Sequence, residues 1–243
     1  MLDFNEAEKV RKLFNSNEVQ VHRDHAISYI LSVLQNVSSS MVFFGGTALA
    51  RTHLRRGRLS EDIDLYTSTR QKLCLEIDDL PNMIEQEFPQ ATWGKLPSST
   101  SDVQSSLLVC NSTIQIEVQA ISTQLRGWNF IPVETVQIYQ RYTDIPPTSL
   151  KVPTLDGFCA MKLTAWFDRG ASRDLFDLEG LTHLRPVSED TKALVTELLG
   201  LRLTRRMLDR KIDGVWQDDL AHQTKLEKTG EECLARVLQW WGE

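Results

Sequence analysis

The chain has 243 residues, 41% hydrophobic and 25% charged, the profile of a folded globular protein long enough for one large domain or two modest ones. Its 27 Lys and Arg against 33 Asp and Glu give a formal net charge of −6, which excludes a surface broadly coated in nucleic-acid-binding charge but leaves a local patch open. Cys74, Cys110, Cys159 and Cys233 are scattered, with no close pair and no histidine at ligand spacing. A disulfide framework or zinc site is therefore not expected, and a reducing cytoplasm is the simpler reading. No signal peptide is visible at the polar, acidic start, and no apolar run approaches the roughly 20 residues of a membrane span.

Residues 5–36 read as helix, with Ala26, Ile27, Ile30, Leu31 and Leu34 at three- and four-residue spacing. Ser38-Ser39-Ser40 breaks that pattern. Met41 to Phe44 is a short apolar strand, Gly45-Gly46-Thr47 a tight turn, and Ala48 to about Leu54 a helix. Ile63 to Tyr66 reads as the next strand, entered through Ser60-Glu61-Asp62. Residues 71–90 suggest an amphipathic helix and residues 97–102 a loop. Leu107–Cys110 and Thr113–Gln119 then read as paired strands turning at Asn111-Ser112, the second alternating Ile114, Ile116 and Val118 with Gln115, Glu117 and Gln119. Pro146-Pro147 and Pro153 mark a connector and the best candidate boundary, dividing 1–150 from 151–243. Helices follow over Leu155–Asp168, Arg173–Leu181, about Ser188–Leu208 and Leu226–Trp240. Strands first and helices afterwards predict an α+β fold with a helical C-terminal half.

The segment Phe43–Leu65, FFGGTALARTHLRRGRLSEDIDL, combines three features. Gly45-Gly46 ends a strand and opens a helix, where glycine permits close backbone approach and free N–H groups favour an anion such as phosphate. Asp62 and Asp64 are two apart in a β-like run, so both carboxylates leave one face. Two hard oxygen donors on one face are what Mg²⁺ takes when it shares its shell with substrate phosphates. The sixteen residues from Gly45 to Ser60 hold no acid but carry Arg51, Arg55, Arg56 and Arg58, positive charge for a polyanion. Alone, each has a plain structural explanation: a turn, a solvated strand edge, a solvated helix face. Their combination in one strand–turn–helix–strand unit points to chemistry.

G-G-T, a basic spacer and S-x-D-x-D resemble the motif of DNA-polymerase-β-like nucleotidyltransferases. The form FFGGTALAR…RLSEDIDL is similar to the AbiEii/AbiGii toxin family, which includes MenT-type toxins. That family has a second block, found here as Met161-Lys162-Leu163-Thr164-Ala165-Trp166-Phe167-Asp168-Arg169 and Arg173-Asp174-Leu175-Phe176-Asp177-Leu178. The resemblance spans about residues 25–180 and implies a polymerase-β-like core followed by helices that complete the site. It implies a third carboxylate on a neighbouring strand. Glu117 is the natural candidate and the favoured one, a surface glutamate on an exposed sheet face being the plain structural alternative. Asp62, Asp64 and Glu117 would then hold Mg²⁺, or Mn²⁺ in its place, for two-metal phosphoryl transfer.

By the same resemblance Lys162 and Arg169 contact nucleotide phosphates and Asp174 supports or orients the site. A lysine snorkelling from an amphipathic helix is the structural alternative for Lys162, against which its company with Arg169, Arg173, Asp174 and Asp177 weighs. Asp177 and Arg173 equally fit an i, i+4 ion pair. Gly45, Gly46, Thr47 and Ser60 belong to phosphate binding, with helix-start and turn-capping roles open for the last two. The implied donor is an NTP and the implied acceptor the 3′ end of tRNA, with a protein or small-molecule hydroxyl as alternatives. A nucleotide-binding regulatory module without turnover is the reading from another class. The family also implies a cognate antitoxin, as one half of a bacterial toxin–antitoxin or phage-defence pair. The histidines show no metal spacing. Trp216, Trp240 and Trp241 read as packing residues. Arg202, Arg205, Arg206 and Arg210 would share one arc of a continuous helix, a candidate RNA-backbone stripe or plain solvated surface.

Overall fold

The computed structural model describes residues 2–37, 40–69, 80–86, 88–89, 91–93, 103–109, 114–122, 128–212 and 215–242. The helix expected over residues 5–36 is two, α1 (Phe4–Phe14) and α2 (Glu18–Val37). The Asp3 carboxylate caps the first by accepting from the Asn5 and Glu6 amides, and Asn15 ends it in a left-handed conformation at φ 51°. The strand–turn–helix–strand unit follows as β1 (Val42–Phe44), α3 (Gly45–Thr52) and β2 (Asp62–Thr67). Of the helix expected over 71–90, the described part is α4 (Leu80–Glu85). Residues 71–79, the loop at 97–102, the Asn111-Ser112 turn, Cys74 and Cys110 lie outside the described residues.

Three more strands, β3 (Thr92–Trp93), β4 (Val103–Val109) and β5 (Gln115–Ser122), complete a sheet of order β1-β2-β5-β4-β3. All neighbours are antiparallel except β2 and β5, which run parallel with Asp62 opposite Glu117 and Asp64 opposite Gln119. Part of the proline-marked connector is a strand: β7 (Ser149–Pro153) pairs antiparallel with β6 (Val133–Gln137). Pro153 sits at its last position, where a missing N–H is tolerated. Helices α5 (Leu155–Arg169), α6 (Ser172–Thr182), α7 (Glu189–Leu199), α8 (Arg205–Leu208), α9 (Trp216–Leu220) and α10 (Gly230–Trp241) follow. The helix expected across 188–208 is thus interrupted: α7 stops at Gly200, whose backbone is left-handed, and α8 starts afresh. The chain is α+β with a helical C-terminal half. Among the described residues no helix is long and apolar enough to cross a membrane.

Strand alternation gives the sheet two unlike faces. Phe43, Ile63, Leu65, Ile116, Val118 and Ala120 join Ile27, Ile30, Leu31 and Leu34 of α2 in the main core, so the apolar stripe of that helix covers one face. This core includes residues from both sides of residue 150, among them Phe158, Leu163 and Trp166 of α5. The other face carries Asp62, Asp64, Glu117 and Gln119. It continues into a smaller apolar cluster of Val42, Phe44, Tyr66 and Ile121, against which Trp128 and Met161 pack. One face therefore grades from charged to apolar along β2, and that gradient positions the site.

Candidate active site

The charged face opens into a cleft of about 440 Å³ between the sheet and the α5–α6 corner. Asp62, Asp64 and Glu117 line it from the sheet, Gly45 and Gly46 from the start of α3, and Lys162, Arg169 and Asp174 from the two helices. Both glycines are required by close packing. Gly45 has φ +77°, and a Cβ there would lie 2.0 Å from the Asp64 Oδ2. A Cβ on Gly46 would lie 2.3 Å from the Arg58 Nη2. Stripped of side chains, the turn brings the first amides of α3, the positive end of its dipole, against the Asp-x-Asp strand. The Thr47 hydroxyl donates to the Asp62 carbonyl, fixing that helix start to the strand, and Ser60 is buried at the cleft wall.

The two aspartates sit unlike each other. Burial raises the Asp62 carboxyl, opposed by Arg173, whose Nη1 stands 3.8 Å from its Oδ2. Burial, and next the Asp62 charge, push Asp64 up to about 6. On the helix side Asp174, with no exposed surface, accepts from Lys162 Nζ at 3.0 Å, Arg169 Nε at 2.6 Å and Arg169 Nη2 at 3.0 Å. Burial alone would raise its carboxyl, but those two cations outweigh it and hold it down at about 2. Lys162 also pairs with Asp177 at 2.6 Å, and Asp177 takes a two-pronged contact from Arg58 at 3.0 Å on each oxygen.

Several sequence expectations change here. The Arg173–Asp177 pair does not form, because Asp177 faces Arg58 and Lys162 while Arg173 reaches Asp62. The four-arginine segment is not a free cationic strip. Arg51 is buried and bonded to the Asp24 carboxylate at 2.8 Å, and Arg58 is buried beneath the turn, while Arg55 lies over the Tyr139 ring. The Arg202–Arg210 stripe dissolves with the helix break, and the Arg210 guanidinium instead donates to the Trp166 carbonyl at 2.9 Å. Four histidines stand beside carboxylates, His22 by Glu18, His25 by Asp144, His183 by Glu179 and His222 by Glu61.

The far end of the cleft was not legible beforehand. Phe44, Ile121, Trp128 and Met161 line it, with Trp128 edge-on to Phe44 at 5.4 Å and to Tyr66 at 5.7 Å. The alternation that places Asp62 and Asp64 on one face extends to Tyr66, and that was the available signal.

Among the described residues no group of three or more His, Cys, Asp or Glu side chains stands ready to hold a metal ion. The donor chemistry nevertheless fits Mg²⁺, which takes one or two carboxylates and completes its shell with water and substrate phosphate. Asp62 and Asp64 are both raised by burial, and Asp62 raises Asp64 further, so their ionised forms want a cation.

Among solved structures the chain is similar to MenT4, a nucleotidyltransferase toxin of Mycobacterium tuberculosis, with TM-score 0.66 at 18% identity over 92% of this chain and 83% of that one. It is more distantly similar to an antigenic nucleotidyltransferase-like protein of Paracoccidioides brasiliensis, with TM-score 0.44 at 15% identity over 73% and 87% of the two chains. Terminal uridylyl transferase 4 of Trypanosoma brucei, with bound UTP, gives TM-score 0.31 at 12% identity over 90% and 64%. No curated protein matches the sequence. The family model of the nucleotidyl transferase AbiEii toxin of type IV toxin–antitoxin systems matches residues 30–231, and the chain belongs to that family of nucleotidyltransferases.

Proposed function

We propose that this chain is a Mg²⁺-dependent nucleotidyltransferase that moves NMP from an NTP to an acceptor hydroxyl, with the 3′ end of tRNA the best acceptor. The observation that carries the reading is one cleft with two zones, carboxylates and cations at one end and an aromatic wall at the other. The triphosphate lies at the charged end, on the amides of α3 and the Lys162 and Arg169 side chains. The nucleobase lies toward Trp128 and Phe44, where a flat apolar group is sheltered from water. The acceptor oxygen forms a bond to the α-phosphorus as the bond from that phosphorus to the bridging α–β oxygen breaks, the hydroxyl proton passes to water, and pyrophosphate leaves on the side of Lys162 and Arg169. Asp62 and Asp64, with Glu117 opposite Asp62 in the sheet, would hold Mg²⁺, which when bound would neutralise triphosphate charge and lower the pKa of the acceptor hydroxyl. Arg169, exposed, and Arg173, partly exposed, suit an incoming phosphate backbone at the rim.

In this reading residues 1–150 supply the carboxylates and the glycine turn, and 151–243 complete the site with Lys162 and Asp174. The protein acts in the cytoplasm as the toxin of a toxin–antitoxin pair, with a cognate antitoxin as its partner, consistent with the free thiols of Cys159 and Cys233. The test is incubation of purified protein with total tRNA, Mg²⁺ and each labelled NTP in turn. Label in tRNA that requires Mg²⁺ and disappears in Asp64→Asn is expected. Label in a protein instead would replace the acceptor, and no label from any NTP would overturn the reading.

A further inference from the structure

Arg58 reads in the sequence as a substrate-facing cation, yet it is only 3% exposed and each described partner is protein. Nε and Nη2 go to Asp177. Nη1 donates to the Gln223 Oε1 at 2.7 Å, across 165 residues of chain, and stands 3.5 Å from the Ser60 hydroxyl. The tail grips the neighbouring backbone on both sides of this arginine. The Leu59 amide donates to the Gln223 carbonyl at 2.8 Å, and the Thr224 hydroxyl donates to the Gly57 carbonyl at 2.7 Å. The turn between α3 and β2 is thus clasped by residues 223–224, which lie beyond the quoted motifs.

We infer that Gln223 is a positioning residue of the transfer site, acting through Arg58 and Asp177 on Lys162 and through the same guanidinium on the Gly45–Gly46 turn. The inference rests on the function proposed above. A guanidinium carries five donors in a fixed fork, so its partners set its orientation. Asp177 Oδ2 is shared between Arg58 at 3.0 Å and Lys162 at 2.6 Å. Lys162 spends its remaining protein contact on Asp174, leaving one of its three N–H donors for the cleft it lines. If the Gln223 acceptor is lost, a buried donor is left unpaired, and the guanidinium turns to recover a partner. That rotation withdraws Asp177 from Lys162 and moves Nη2 against Gly46, where no side chain separates them.

The test uses the full chain with Gln223→Met, which removes the acceptor at similar length, Gln223→Glu, which keeps it, and Lys225→Ala as an exposed control. One readout is the acylation rate of Lys162 by trace acetic anhydride, measured by peptide mass spectrometry against exposed Lys192. The other is steady-state NMP transfer. Expected for Gln223→Met are Lys162 acylation faster by about tenfold and kcat/KM lower by about tenfold, while Gln223→Glu retains both. Should Gln223→Met fold poorly, Gln223→Asn withdraws the amide by one methylene and gives the same test. Unchanged Lys162 acylation in Gln223→Met, or equal loss in Gln223→Met and Gln223→Glu, overturns the inference. Absence of transfer by the wild-type chain overturns the proposed function, while the acylation rates still decide the role of Gln223.

Discussion

Replacing Asp64 with Asn should stabilise the metal-free protein while abolishing its chemistry. Burial, and after it the Asp62 charge, raises the Asp64 carboxyl from 3.8 to about 6. The unfolded chain keeps this group near its ordinary value, so between those two values the folded state binds a proton that the unfolded state does not. At neutral pH the fold holds Asp64 ionised against that preference, which costs about 3 kcal/mol at ~1.4 kcal/mol per pKa unit. Asn is neutral and nearly the same shape, so it relieves the cost. In a chain of this length about 3 kcal/mol is worth about 6–12 °C in Tm. The sign is fixed by linkage. The gain is largest above the folded value, falls to about half near pH 5, and vanishes below the unfolded value, where wild-type Asp64 is protonated in both states. Thermal unfolding of both proteins in EDTA at about pH 4, 5 and 7 measures this directly. Saturating Mg²⁺ and NTP should then raise the Tm of the wild type alone. No gain at pH 7, or a gain unchanged on acidification, would refute an Asp64 ionised against its surroundings.

Lys162→Met leaves Asp174 and Asp177 buried with one cation fewer. It should cost about 3–5 kcal/mol in urea denaturation and abolish transfer. Trp128→Ala removes the aromatic wall from a half-buried position. It should raise the KM for NTP by about tenfold with kcat little changed in steady-state assays, and unaltered KM would remove the base from that end of the cleft. Gly46→Ala must push the Arg58 guanidinium aside, and kcat/KM should fall at least about tenfold. Combined with Gln223→Met it should lose less than the sum of the two, since both displace one guanidinium.

The strand–turn–helix–strand unit was legible because its signals are local. A two-residue glycine turn and a two-residue carboxylate spacing each fix geometry over a few ångströms, and β2 and α3 appear where they predict. Glu117 was placed on the polar face of its strand by alternation in residues 114–118 and singled out by the family resemblance, whereas the register that sets it opposite Asp62 depends on pairing between distant segments and was not legible. What stayed hidden is non-local. The sequence marks Arg51 and Arg58 as charged but cannot say that Asp24 and Asp177, 27 and 119 residues away, absorb them. The Arg202–Arg210 stripe failed because helical periodicity ran on in the reading across Gly200, where the chain turns. The β6–β7 hairpin was missed because proline density outweighed a short strand in which proline takes only the end position.

The absorbed arginines change what the cleft can attract. Arg58, Lys162, Arg169 and Arg173 line it against Asp62, Asp64, Glu117, Asp168 and Asp174, a formal balance of one negative charge. A free triphosphate, carrying roughly four negative charges, meets no net attraction there, because two of the cations are already committed to Asp174. Two divalent ions on the sheet-side carboxylates would turn the same surface positive by about three charges, with Lys162 and Arg169 held by the helices on the opposite wall. The alternating series Arg169–Asp174–Lys162–Asp177–Arg58 keeps those cations from collapsing onto Asp62 and Asp64. On the proposed reading, holding Lys162 and Arg169 apart from the sheet-side carboxylates would make substrate charge and metal charge bind together, so that an NTP without its metal would be the wrong ligand for the site.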